Sequence, residues 1–399
     1  MFVPRREKRY NGTLEDNDDQ PMTLQTRIHA INFVRKLSIT SILFLLPLRF
    51  LALGFDGWQI GAIVSMFAVA PLLASFPTGW INDRLSMAGV IRGGLLAQGI
   101  LLLGLAGIKS FPLMAAAFLF LGTANNVLDV SFNSLYYKDE TAMDQNRKYG
   151  IYVFWIGLGP AVGIFAGGFL IRAADFRLYL AVLAAATLFV VAAVRRLDHV
   201  KFHRVSLREY GRNILRKKTL LFILFVFILA LHWGVEGTVF SPFLQRAFGL
   251  KDLGLSMFIS IGLFFLSFAA VLIGFLKFNL RANKRLLLLA MFFSGAGFAL
   301  MAVARNAAVS LIFNVVHQVG DGALGALLTL FTSRLFEKRS IGGSAGLAQS
   351  MPILGQMAGA MIFSPLGYRF GLQYPFIICG GLLTLNALFG AVLFRRIEY

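Results

Sequence analysis

The 399-residue chain is 57% hydrophobic and only 14% charged, with a mean hydropathy of +0.72. Soluble domains sit near half apolar and about a quarter charged, so this composition excludes a water-soluble enzyme. Lys and Arg outnumber Asp and Glu 38 to 19, a net +19, and the single Cys379 excludes both an internal disulfide framework and a multi-cysteine metal site.

Residues 1–26 are polar, with Arg5, Arg6, Lys8 and Arg9 followed by Glu15, Asp16, Asp18 and Asp19. They lack the apolar core and small-residue cleavage site of a signal peptide and are expected to form a disordered cytoplasmic tail. Apolar segments of membrane-spanning length follow at 28–53, 57–81, 88–108, 111–137, 147–171 and 176–195. A basic stretch interrupts the series. Six more then run at 219–246, 253–277, 285–304, 307–335, 342–367 and 372–394. The expected plan is an all-α integral membrane protein with twelve spans: a first six-helix half over 27–196, a basic cytoplasmic linker over 197–218, and a second half over 219–399.

The loop charges fix an orientation for this plan. With both termini inside, 28 of the 38 Lys and Arg residues fall on the inner side and eight on the outer, while Arg35 and Lys36 lie within the first span. Cytoplasmic loops carry the excess of Lys and Arg, so the expectation is a multi-pass protein of the cell (inner) membrane with both termini cytoplasmic. The basic residues are spread over seven short segments rather than one stripe, which argues against nucleic acid as a partner. The expected partners are the lipid bilayer, a small-molecule substrate and protons, with the chain acting as a monomer. An internal repeat supports the six-plus-six division: Pro47, Gly54 and Gly79 recur 195 residues later as Pro242, Gly249 and Gly274.

The loop after the second span reads Gly79-Trp80-Ile81-Asn82-Asp83-Arg84. It resembles the Gly-x-x-x-Asp-Arg/Lys signature between helices 2 and 3 of the major facilitator superfamily. The twelve spans, long central loop, duplicated halves and inward-basic loops resemble the same family over about residues 28–397. The likeness has departures. Leu85-Ser86-Met87 follows Arg84 where the family continues with glycine and basic residues, and the corresponding loop of the second half keeps Gly274 and Lys277 but no aspartate. The glycines of the fifth span (Gly157, Gly159-Pro160, Gly163, Gly167-Gly168) resemble the antiporter motif of the drug-efflux branch at altered spacing. The resemblance implies two pseudo-symmetric halves that alternate access to a central site lined by spans 1, 4, 7 and 10. It also implies a gating role for Gly79, Asp83 and Arg84. Asp83 is expected to accept hydrogen bonds from a helix N-terminus of the opposite half, with Gly342-Gly343-Ser344 as the candidate.

Ionisable residues at membrane depth are costly and mark a pathway or a partner. Here they fall on spans 1, 4, 7 and 10. Asp129 lies ten residues from Asp139, about 15 Å along a helix, and shares a face with Asn126 and Asn133, with Asn125 beside it. That polar stripe faces either a cavity or a neighbouring helix. The seventh span carries His232 and Glu236, the tenth His317 and Asp321. The i, i+4 spacing puts each His and acid on one face, where imidazole and carboxylate can share a proton. Arg35 either lies inside the membrane, pairing with Asp129 or a substrate anion, or reaches the inner headgroups with Lys36. Trp155, Trp233 and Tyr152 are candidate pocket residues.

Other signals carry little. Gly320-Asp321-Gly322-Ala323-Leu324-Gly325 fits a dinucleotide-loop pattern but lies inside a span with no preceding strand, so it is read as helix packing. No Gly-x4-Gly-Lys-Ser/Thr pattern occurs, which argues against ATP drive. No cofactor is expected. The leading expectation is a proton-coupled secondary active transporter of a small organic solute, with an amphipathic or zwitterionic one suited to the charges and with import and efflux both left open. The N-terminal charges Arg35, Lys36 and Asp129 would face the solute's anionic group. One alternative is a divalent metal carrier using His232, Glu236, His317 and Asp321. Another, from a different class, is a non-transporting membrane receptor or enzyme, for which no nucleophile–base motif is present.

Overall fold

The computed structural model describes residues 24–84, 86–138, 143–196, 215–276, 280–336 and 341–393. The expected tail over residues 1–23 and most of the linker, residues 197–214, lie outside the described residues. The first six spans are α1 (Leu24–Ala52), α2 (Gly57–Asn82), α3 (Met87–Leu105), α4 (Phe111–Lys138), α5 (Gln145–Ala173) and α6 (Phe176–Phe189), the last extended by a 3₁₀ turn, Val190–Arg196. The seventh span is α7 (Lys217–Val235), a π-helical turn (Glu236–Phe240) and α8 (Ser241–Phe248) in sequence. Spans eight to twelve are α9 (Asp252–Phe275), α10 (Leu280–Ala302), α11 (Ala307–Leu335), α12 (Ile341–Phe370) and α13 (Tyr374–Leu393).

Among the described residues, eleven spans are long and apolar enough to cross a membrane. The remaining one, α12, has 30 residues but carries Pro352, Pro365, Gln356 and Ser364. Its mixed composition fits a helix packed on both flanks. The architecture is two pseudo-symmetric six-helix halves. Asp and Asn side chains close the exposed helix starts, satisfying amide donors that have no intrahelical partner. Asp56 forms a reciprocal capping box with Gln59, Asp144 and Asp175 cap α5 and α6, and Asn306 caps α11. Gly54 (φ +83°) and Gly249 (φ +66°), 195 residues apart, end the first and seventh spans in the left-handed conformation that favours glycine.

Small residues set the closest helix approaches. A Cβ on Gly122 of α4 would collide with the Phe67 carbonyl of α2, and one on Gly322 of α11 would collide with the Leu266 carbonyl of α9. The two halves thus use the same device between corresponding helices. Two seams join the halves. Along α5 and α9, Gly150 faces Gly274, Gly157 faces Ser267 and Gly168 faces Ser256. Along α2 and α12, Gly61 faces Ala360 and Ser364, while Gly346 faces Ser75. Close backbone approach at small residues is how helices gain packing energy in lipid, where there is no hydrophobic drive between them.

Candidate substrate and coupling site

Spans 1, 4, 7 and 10 bring their ionisable residues to the centre of the bundle in two clusters. In the first half, α1 presents Arg35 and Lys36 to α4. Arg35 is fully buried, with its guanidinium donating to Asn32 Oδ1 (2.7 and 3.0 Å), Asn125 Oδ1 (3.0 Å) and Asp129 Oδ1 (2.6 Å). Phe132 lies 5.5 Å beneath it. Lys36 Nζ is 2.9 and 3.2 Å from the two Asp129 oxygens, and Asn125 donates to Oδ2 at 3.0 Å. Of the two readings open for Arg35, the contacts fit the one that pairs it with Asp129. α1 starts at Leu24, eleven residues before Arg35, which puts the guanidinium three helical turns inside. Lys36 follows it to Asp129. The two cations differ in access, because Arg35 is sealed while Lys36 is 16% exposed and lines the central cavity.

The second half departs from the expected pairing. His and acid do not pair along their own helices; they cross between α7 and α11. His232 Nε2 lies 2.9 Å from Asp321 Oδ2, and His317 Nε2 lies 3.2 Å from Glu236 Oε1. The i, i+4 spacing does put each pair on one face, but the rings reach outward to the facing helix. Glu236 is also the first residue of the π-helical turn, and its amide still donates to the His232 carbonyl. The two imidazole rings meet edge to face at 5.3 Å.

Each ring sits between two oxygen acceptors. His232 Nδ1 contacts the Leu229 carbonyl, and its Nε2 contacts the Asp321 carboxylate. His317 Nδ1 is 3.0 Å from both the carbonyl and the hydroxyl oxygen of Ser294, but that hydroxyl has one proton and donates it to Asp321 Oδ1 at 2.6 Å. A neutral imidazole has one N–H. Satisfying both neighbours of each ring therefore takes one further proton per His–carboxylate pair. Gln318 adds a donor to Glu236 Oε1 at 3.0 Å.

Two cavities, of about 290 and 390 Å³, meet between these clusters. Both are lined by Lys36, Asp129, Val153, Ile156, Trp233 and Asp321. The smaller extends toward the inner ends of α7 and α11, past Phe222 and Thr332; the larger extends outward past Phe44 and Phe67. Asn126 and Asn133 line one cavity each, so the α4 stripe faces the cavities, although Ser75 also donates to Asn126 (2.9 Å) and Tyr152 to Asn133 (2.7 Å). Tyr152 and Trp233 line the space. Trp155 does not: it packs on His29 and Phe33.

At the inner end, the Gly342-Gly343-Ser344 candidate is the contact found. The Gly343 amide donates to Asp83 Oδ2 at 2.9 Å, and Lys138 Nζ holds Asp83 Oδ1 at 2.6 Å. Gly79 accepts from the Asp83 amide, and Arg84 stacks on Trp80 at 4.1 Å. At the outer end, Ser364 donates to the Gly57 carbonyl (2.6 Å) and Ser241 to the Phe44 carbonyl. The halves touch on both sides of the cavities. Sequence reasoning passed over Asn32, Ser294, Gln318 and Lys138. A lone Asn three residues before a buried Arg, and a Gln beside His317, were the available signals.

With this geometry in place, comparison with known proteins gives the family. The model of the Major Facilitator Superfamily matches residues 28–351, and the chain belongs to that superfamily. It is a transporter, not an enzyme. It is similar to "Multidrug resistance protein 2" of Bacillus subtilis (strain 168), with 25% identity over 374 residues, 89% of this chain and 91% of that protein. The fold is also that of the nucleoside transporter NupG, with a TM-score of 0.70 at 15% identity over 94% of this chain and all of the other. The human organic anion transporter MFSD10 (TETRAN) gives 0.68 at 16% identity over 93% of this chain and all of the other.

Proposed function

We propose that the protein is a proton-coupled secondary transporter that moves a small amphipathic or zwitterionic organic solute, in the efflux direction, by alternating access. The single observation that carries the coupling is the crossed His–carboxylate pairing, in which each ring lies between two acceptors and calls for one added proton. With those protons the second-half cluster is neutral, and without them it carries two negative charges. The first-half cluster of Arg35, Lys36 and Asp129 keeps a single positive charge throughout. A solute whose anionic group meets Lys36 and whose cationic part meets the deprotonated pairs would exchange with the protons. The likeness to a multidrug resistance protein supports the outward direction. Asp83, held by Lys138 and the N-terminus of α12, is assigned to keep the inner side shut, with Gly79 and Arg84 shaping the loop. The excess of Lys and Arg in one set of loops supports a cell-membrane location with cytoplasmic termini.

The test is transport in proteoliposomes under an imposed pH gradient. Accumulation should vanish in a Glu236→Gln/Asp321→Asn variant while counterflow, which needs no net proton movement, continues. Accumulation surviving in that variant would sink the coupling assignment. The metal-carrier reading is not favoured. Donor atoms of His232, His317 and Asp321 do lie within 4.8 Å of one another, but each Nε2 is committed to a carboxylate of the facing helix.

A further inference from the structure

The face of α11 that carries His317 and Asp321 does not end at the coupling cluster. Ser310, Asn314, His317, Gln318 and Asp321 follow at steps of four, three, one and three residues, which keeps them on one stripe. The stripe begins one turn inside the outer end of α11, where Ser310 donates to the Met301 carbonyl at 3.0 Å. Ser310, Asn314 and Gln318 are all at most 2% exposed. Gln318 lines the larger cavity, whereas Asn314 and Ser310 line neither. The polar row therefore leaves the substrate space at Gln318 and continues outward behind it.

Asn314 is the informative residue. Neither its amide nitrogen nor its amide oxygen has a hydrogen-bond partner in the protein, and Gln318 Oε1, one turn inward, has none either. A buried amide without partners costs on the order of 1–3 kcal/mol, and buried water is the usual remedy where several polar groups converge. Gly262 of α9 lets the row pack close: a Cβ there would collide with Asn314 Nδ2 and sit 3.1 Å from Gln318 Cγ.

We infer that the Ser310–Asn314–Gln318 row is a hydrated proton path from the outer face to the Glu236–His317 pair, separate from the route taken by the solute. This rests on the proton-coupled reading above. Water at Asn314 takes a proton from the outer side and passes another inward, each oxygen accepting one and releasing one. The last proton binds the Glu236 carboxylate or His317 Nε2. Asn314 and Gln318 orient the water and are not themselves protonated. The titratable groups reached from the row are Glu236 and His317, with His232 and Asp321 facing them across α7 and α11.

The test needs no solute. Trp233 lines the cavity and lies 5.7 Å from His232, so its fluorescence reports the charge of the cluster. The full chain, with Trp58, Trp80 and Trp155 changed to Phe, is reconstituted in liposomes, and the outer solution is dropped from about pH 7.5 to about pH 5.5 in a stopped flow. Asn314→Leu should slow the response about tenfold at unchanged final amplitude, and Gly262→Ala, whose Cβ would push the Asn314 amide out of the row, should slow it similarly. Asn314→Ser, small and polar, should stay close to the parent rate. Equal amplitude in each variant shows that the cluster is folded and still titrates. Parent-like rates in both Asn314→Leu and Gly262→Ala would overturn the path. A parent protein with no pH response would instead overturn the coupling reading on which it rests.

Discussion

The two halves hold their buried charges at similar depth but by opposite means. In the first, a guanidinium and an ammonium share one carboxylate, and two side-chain amides, Asn32 and Asn125, absorb the hydrogen bonds left over. Every ionic contact there joins α1 to α4, and Arg35 has no access to water. In the second half, two imidazoles and two carboxylates cross between α7 and α11, and each contact depends on a proton. The first arrangement is built from fixed charges; in the second, each ring lies between two acceptors, so its hydrogen bonds depend on an added proton. A membrane protein that must present a constant face to a solute and a variable one to protons gains from separating the two tasks. The sequence repeat carries the scaffold glycines across both halves but does not carry these charges.

The largest expected effect tests the variable side. The Glu236→Gln/Asp321→Asn variant should lose gradient-driven accumulation by about 100-fold or more and show a flat pH profile, read as initial rates in proteoliposomes. Retention of a pH-dependent rate would erase the contrast between the halves. Next comes the constant side. Asp129→Asn leaves two buried cations without a counter-charge and should destabilise the protein by about 3–5 kcal/mol, seen as a lower melting temperature in detergent. Adding Arg35→Gln should recover much of that loss; no recovery would mean that Asp129 supports folding through something other than charge.

A smaller effect is expected at the inner latch. Asp83→Ala removes the acceptor for Gly343 and the partner of Lys138, shifting the balance toward an inward-open state by about 1–3 kcal/mol. The readout is the labelling rate of a Thr332→Cys thiol in a Cys379→Ser background, which should rise; a fall or no change would separate the latch from gating. The smallest concerns two tryptophans. Trp233→Phe should alter solute affinity a fewfold because Trp233 lines the cavity, whereas Trp155→Phe should leave transport within about twofold because its ring packs on His29 and Phe33. Equal effects at the two positions would redraw the cavity.

What the residues alone revealed follows the range of the forces involved. The apolar spans depend on composition, which is a sum over many residues, and Gly54 and Gly249 were found through their shared offset. The Asp83 contact was legible through the resemblance of Gly79–Arg84 to a family signature, together with the affinity of a carboxylate for a helix N-terminus. The crossed pairs were not legible. Spacing places His232 with Glu236 on one face, but which carboxylate each ring reaches depends on the rotation of α7 against α11. The π-helical turn at Glu236–Phe240 had no signal in its own five residues. Asn314 was passed over because a single amide in an apolar span reads as an ordinary packing residue until its lack of partners is seen.

The seams between the halves have a mechanical consequence. Gly150 meets Gly274 near one end of the α5–α9 contact, and Gly168 meets Ser256 near the other, so the surfaces that touch there are nearly smooth. Helices that interlock through long side chains must pull each of them from a socket before they can tilt. Here the long side chains that meet across the contact include Phe154 against Phe268 and Arg147 over Phe275, set beside the small-residue pairs. At those pairs the contact behaves as a bearing, close enough to seal against lipid and flat enough to roll, and a bulky residue at Gly150 would act as a wedge that props one end open.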